Sequence, residues 1–209
     1  KLAVATIIVS TILLVPTAYW VHLKLPWLRP FMDFATILPL VIPPIVLVVG
    51  LGKEFQGAPG WVFGEESWTW DIPLILVGGY TILAFPYVYR SVDAGLRAID
   101  IHTLTDASLS LGASWTTTIM RVIVPNLRPA VLNAAFLTLA IVMGEYTIAS
   151  LSQFKVFSVY VQYINQNKSY PAAAITLIAF GITWAAMLAL AFAGRGRRST
   201  TPTAEGATH

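Results

Sequence analysis

The chain has 209 residues, of which 56% are hydrophobic and 11% charged, with a formal net charge of +3 and no cysteine. A typical soluble domain carries roughly 25% charged residues, so too few are present to clothe a water-facing surface, and the natural solvent is a bilayer. The lack of cysteine excludes disulfides, cysteine-ligated zinc and thiol nucleophiles, and so small a net charge requires no nucleic acid as partner.

A hydrocarbon core about 30 Å thick and a helical rise of about 1.5 Å per residue ask for roughly 20 apolar residues per crossing. Five stretches qualify: Leu2 to Val21, Phe34 to Gly52, Ile72 to Tyr89, Ala130 to Leu151 and Pro171 to Ala193. The expected fold class is all-α transmembrane, with residues 1–194 forming one membrane domain. The ten-residue alternation of a transmembrane barrel is absent. Residue 1 is a lysine and Leu2 already lies in a span, so one further N-terminal helix would make six crossings with both ends on one side. A cleaved signal peptide is the alternative, although no small-residue cleavage pattern supports it.

Trp20 and Trp27 flank the first span, and Trp61, Trp68 and Trp70 precede the third; such amphipathic rings anchor helices in the headgroup layer. Pro39, Pro43 and Pro44 interrupt the second span and Pro86 the third, each removing a backbone donor and kinking its helix. Gly78-Gly79 in the third span permits close helix packing.

Orientation follows from the loops. With the first span running inward, the inner segments hold Lys24, Arg29, Arg90, Arg97, Arg121, Arg128, Arg195, Arg197 and Arg198, and the outer ones Lys1, Lys53, Lys155 and Lys168. Every arginine is then inside, which sets the C-terminus in the cytoplasm. The carboxylates Glu54, Glu65, Glu66 and Asp71 fall in one outer loop and carry no topological weight. Residues 195–209 read as a disordered cytoplasmic tail.

Residues 90–129 form the longest polar connection, too long for a tether. Val92, Leu96 and Ile99, then Leu104, Ala107 and Leu111, recur at helical spacing and predict one or two short amphipathic helices. Gly112 permits the left-handed backbone that closes a helix, and Ser114 caps a second one carrying Trp115, Ile119 and Val122 until Pro125 stops it.

In the fourth span, Glu145 is the one carboxylate within a predicted crossing, which makes it a functional-site candidate. It lies about 24 Å beyond Pro129 along a core of about 30 Å, near the outer boundary, where a gate or helix joint is favoured over direct substrate contact. Asn133, Tyr80 and Tyr146 are further candidates for the pathway. Phe154, Phe157, Tyr160, Val161 and Ile164 follow helical spacing after it, consistent with an interfacial ledge for an external protein or with packing against other helices.

At the inner loop the sequence resembles the membrane permeases of binding-protein-dependent ABC importers of the six-helix type I class. Their loop reads E-A-A, three residues, G, nine residues, I, any residue, L-P. Here stand Asp106-Ala107-Ser108, Leu109-Ser110-Leu111, Gly112, nine residues and Val122-Ile123-Val124-Pro125. The glycine-to-proline spacing matches and Ala107 is the middle alanine, while Asp106, Ser108, Val122 and Val124 are mild departures. Gly144-Glu145-Tyr146 looks like a Gly-Glu-aromatic run of such permeases and is closest in style to those for polyamines, with ferric iron, sulfate and phosphonate carriers nearby.

The resemblance implies that the helix before Gly112 is a coupling helix docking on a separate ABC ATPase. It also implies a second permease subunit, homo- or heteromeric, an extracytoplasmic solute-binding protein, and residence in the bacterial inner membrane. ATP and magnesium would then belong to the partner. This chain has no G-x-x-x-x-G-K-[ST], Gly50-Leu51-Gly52-Lys53 being a coincidence at an outer helix end. His22, His102 and His209 are far apart in sequence and offer no metal-ligand spacing, and Asn167-Lys168-Ser169 matches a glycosylation triplet too common to weigh. No catalytic residue is expected. The rival readings are an ATP-independent secondary transporter, a membrane-embedded enzyme and a purely structural membrane subunit.

Overall fold

The computed structural model describes residues 1–55, 57, 73–167 and 169–194, which are helical with no strand among them. In chain order the helices are α1 (Leu2–Leu23), α2 (Arg29–Val41), α3 (Pro44–Glu54), α4 (Leu74–Ala98), α5 (Ile101–Ser110), α6 (Trp115–Asn126), α7 (Arg128–Gly144), α8 (Thr147–Leu151), α9 (Phe157–Asn167) and α10 (Ser169–Gly194). Trp61, Trp68, Trp70, the outer-loop carboxylates Glu65, Glu66 and Asp71, Lys168 and the tail lie outside the described residues.

The second expected span is broken. Ile42 precedes Pro43 and is driven out of the helical region to ψ 120°, because the proline ring crowds an α-conformation at the residue before it. Pro43 follows at ψ 139°, and α2 and α3 meet at a bend of 97°. The fourth span also breaks: α7 ends at Gly144, Glu145 is extended at ψ 120°, and α8 restarts at Thr147.

Among the described residues, α1 and Tyr170–Ala189 of α10 are each long and apolar enough to cross a membrane, and up to four crossings result if each bent pair is one span. The second and fourth of the five expected spans are thus interrupted helices. The third stretch becomes part of α4, which passes through Pro86 and runs on to Ala98. At 25 residues it is about 37 Å long, more than the bilayer core, so Val92 and Leu96 belong to this helix and not to a separate one below the membrane.

α4 is the central rod, with α1 and α7 packed against it and against each other; α2 leans on α4, α3 on α8, and α10 on α7 and α9. The larger core cluster joins Ala18 and Tyr19 of α1 to Ala84, Val88, Val92 and Leu96 of α4, then to Ile101, Ile123 and Leu127 below. In water, burying a Val, Leu or Ile side chain contributes roughly 1.5–3 kcal/mol, a gain available to the part of the cluster outside the bilayer. Within the bilayer lipid tails are equally apolar, and close approach and hydrogen bonds carry the association instead.

That close approach occurs at Gly95. A Cβ there would overlap the Cβ of Ala130, so α4 and α7 cross nearly backbone to backbone. The expected Gly78-Gly79 pair behaves differently: Gly78 has nothing within 4 Å, and a Cβ on Gly79 would sit at ordinary contact with Leu51 and Ile148. Beside the Gly95 crossing, Ser91 donates to Ala130 O at 2.9 Å and receives Asn133 Nδ2 at 3.0 Å. Thr6 and Thr138 satisfy their hydroxyls locally, on Leu2 O and Ala134 O.

Candidate functional site

The inner loop folds as a helical hairpin, α5 and α6. Asp100 caps α5, its carboxylate accepting from Thr103 N at 3.2 Å and Thr103 Oγ1 at 2.6 Å. These bonds hold the Asp100 carboxyl below the usual carboxylate range. At the other end Gly112 adopts φ +81°, Ala113 N reaches back to Ser108 O at 3.1 Å and Gly112 N to Leu109 O at 2.9 Å. This is a Schellman closure, which a glycine at that position makes without steric cost. Ser114 then caps α6 by accepting from Thr117 N at 3.3 Å.

The hairpin is stitched from inside. Thr118 Oγ1 donates to Ser114 O, which leaves the Ser108 hydroxyl as donor in its 3.0 Å bond with Thr118 Oγ1. Ile101, Thr105 and Ser108 make the buried face of α5, while Asp106, Ala107 and Gly112 are exposed and Leu111 is 89% exposed. Of the expected docking residues, Asp106, Ala107 and Gly112 thus form one accessible tip, and Ser108 faces into the hairpin. Ser108→Ala should lower stability by about 1 kcal/mol, the net worth of one hydrogen bond, whereas Ser108→Leu should open the hairpin; thermal unfolding in detergent reads the difference.

Pro125 does not stop α6 at once. The helix widens into a π turn over Ile119–Ile123, with Val124 N reaching Ile119 O, and ends at Asn126 before turning 70° into α7. The extra residue absorbs the donor that Pro125 lacks. The hairpin is also held to the first span: Trp115 stacks on Trp20 with centroids 6.3 Å apart, and Lys24 Nζ lies 5.0 Å from the Trp115 ring.

At the far end of α7 from the hairpin, Glu145 joins three helices. Its Oε1 accepts from Ile148 N at 2.8 Å, capping α8, and its main-chain oxygen accepts from Ser158 Oγ of α9 at 2.6 Å. The residue is only 9% exposed, and its Oε2, like the hydroxyl of the fully buried Tyr80, is buried without a hydrogen-bond partner. Glu145→Ala should therefore cost about 1–3 kcal/mol, as expected for a hydrogen bond to a charged group, with Glu145→Gln keeping most of it; paired thermal melts test this.

Tyr146 is 40% exposed and lines a groove of about 670 Å³ with Phe157, Ser158, Gln162, Thr183 and Trp184. Asn133 lies 12 residues before Glu145, about 18 Å along the same chain direction, and is not part of this joint. The ledge residues divide: Tyr160 is 56% exposed, while Val161 and Ile164 are half-buried as α9 packs on α10.

Sequence reasoning passed over one cluster altogether. Asp93 on α4 is buried, and its Oδ2 takes Arg97 Nε at 2.8 Å while its Oδ1 faces His22 Nδ1 at 3.4 Å and Arg29 Nη2 at 3.7 Å. The i, i+4 spacing of Asp93 and Arg97 was the one signal available. No group of three or more metal-ligating side chains occurs among the described residues.

The family model described as binding-protein-dependent transport system inner membrane component matches residues 15–196. The chain belongs to this family. It is a type I ABC importer permease by class, and the helical fold with its apolar spans agrees. A probable sulfate transport system permease protein of Prototheca wickerhamii is 33% identical over 123 residues, covering 56% of this chain and 47% of the relative. A putative molybdenum permease of Bacillus subtilis is 34% identical over 117 residues, 53% of this chain and 50% of the relative. The spermidine/putrescine permease PotB of Escherichia coli is 25% identical over 184 residues, 81% of this chain and 66% of the relative. The chain spans about half the length of the first two permeases.

Proposed function

We propose that this chain is the translocating subunit of an ATP-driven importer in a bacterial cytoplasmic membrane, moving a small solute by alternating access. The observation that carries the reading is the hairpin tip, where a glycine-closed helix presents Asp106, Ala107 and Leu111 to the aqueous side. A small side chain at position 107 lets a partner surface approach closely, Asp106 offers a charged contact, and an 89% exposed leucine is a side chain that gains by being covered. The partner is an ABC ATPase holding ATP and magnesium, and the assembly includes a second permease subunit and an extracytoplasmic solute-binding protein. The C-terminus faces the cytoplasm, as the arginine distribution favours.

For the solute, two readings have support. The Gly144-Glu145-Tyr146 run and the spermidine/putrescine relative favour a polyamine. The sulfate and molybdenum relatives favour a tetrahedral oxyanion.

Proteoliposomes carrying the permease pair, its ATPase and the binding protein should accumulate labelled spermidine, sulfate or molybdate only with ATP present. Accumulation without the ATPase would make the chain a secondary transporter, and accumulation of spermidine against the oxyanions decides between the two solute classes.

A further inference from the structure

The Asp93 cluster sits where α4 leaves the membrane, and the docking tip does not use it. Arg29 Nη2 is hydrogen-bonded to His22 Nε2, so that nitrogen is the acceptor and the ring presents Nδ1–H toward Asp93. One carboxylate thus gathers His22 of α1, Arg29 of α2 and Arg97 of its own helix. His22, Arg29 and Arg97 line an open cavity of about 690 Å³ that Asp100, Ile101 and His102 at the start of α5 also line. α5 follows α4 after two residues, so the cluster lies at the root of the docking helix.

A second contact grips the same end of α1 from the other arm of the hairpin, through Trp20 on Trp115 and Lys24 over the indole. The lower end of α1 is therefore held at two places, by the charged cluster at the root of α5 and by the aromatic contact at the first residue of α6, next to the tip. Apolar side chains would fasten α1 to α4 without the desolvation that buried charges suffer, so stability alone is a poor account of the charged cluster. What charges add is a directional link that survives small sliding of packed helices, since Coulomb attraction falls off more slowly with distance than dispersion.

We propose that Asp93 is the positioning residue that makes α1 move as one body with the docking hairpin, so that motion of the ATPase beneath reaches the first span of the pathway. This rests on the docking reading of Asp106, Ala107 and Gly112. Ile12 on α1 and Ser110 on α5 are both exposed, and the chain has no cysteine, so Ile12→Cys with Ser110→Cys accepts two nitroxide labels cleanly.

In the complex with a cysteine-free ATPase, the label-to-label distance is measured without nucleotide and after trapping with ATP and vanadate. The wild-type background is expected to give one narrow distance, the same in both states. Asp93→Asn is expected to broaden it and to separate the two states while the ATPase stays bound, Asp93→Glu to restore the narrow distance, and Arg97→Gln, a milder change at a half-exposed side chain, to act in the same direction as Asn. A wild-type distance that changes on trapping, or an Asp93→Asn distance that stays narrow and constant, overturns the proposal. An ATPase that fails to co-purify with the wild-type chain, or binds Ala107→Arg equally well, overturns the docking reading instead.

Discussion

Gly95→Val will prevent α4 and α7 from closing on each other. The first added carbon already overlaps Ala130 Cβ, and the neighbouring Leu127 Cδ2 stands 3.3 Å from the same point. Overpacking of a tight contact costs about 1–3 kcal/mol, and here the obstacle is anchored to backbone, so the upper part of that range is expected. The loss should appear as a lowered unfolding midpoint of the detergent-solubilised protein. Two companions make it specific. Gly78→Ala, with open space around it, should be neutral or slightly stabilising, because glycine inside a helix is about 1 kcal/mol worse than alanine. Gly95→Ala should be destabilising alone and recover when combined with Ala130→Gly, a coupling that a double-mutant cycle measures. Equal midpoints for Gly95→Val and the parent would mean that the helices cross elsewhere.

Ala107→Arg will weaken partner binding while leaving the fold intact. The site is exposed, so stability should stay within about 0.5 kcal/mol, as for other surface changes. Truncation or obstruction at the centre of an interface typically costs about 2 kcal/mol or more, which lowers affinity for the ATPase roughly thirtyfold. Gly112→Val should have a related effect by another route, since a β-branched residue at φ +81° distorts the tip at a cost of about 1–2 kcal/mol. Gly112→Asn, which tolerates the left-handed region, should bind nearly as the parent does. Titration of the purified ATPase onto each variant measures all three. Unchanged affinity for Ala107→Arg would remove α5 from the interface.

The parts legible in the sequence were those encoded over a few residues. The turn at Gly112, the cap at Ser114 and the first span followed from local preference and hydropathy alone, and each has its expected geometry. The prolines of the second span marked a disturbance, but its size depended on Ile42 and Pro43 both turning extended, which spacing does not quantify. Asp93 was hidden because its partners His22 and Arg29 lie some seventy residues earlier and are brought to it only by the packing of α1 and α2 on α4. The choice of Gly95 over Gly78 and Gly79 as the close crossing depended on how α4 is rotated about its axis, and two adjacent glycines are a louder signal than one. The long reach of α4 was masked for a plain reason. Arg90 and Arg97 read as lying past the end of a membrane segment, yet the helix itself has no cause to end there.

The corner between α2 and α3 limits what can surround it. Pro43 and Pro44 offer no N–H to the carbonyls of Pro39 and Leu40, four residues earlier in each case, so two acceptors at the corner lack their helical donors. α3, with 11 residues, rises about 16 Å and cannot traverse a core of about 30 Å alone, which sets the corner at intermediate depth. Hydrocarbon chains have nothing to donate to bare carbonyl oxygens. The chain must therefore present this corner to water or to another polypeptide, so that a lipid-soluble quencher in the acyl region should fail to reach a reporter placed at Ile42 while reaching one at Ile12.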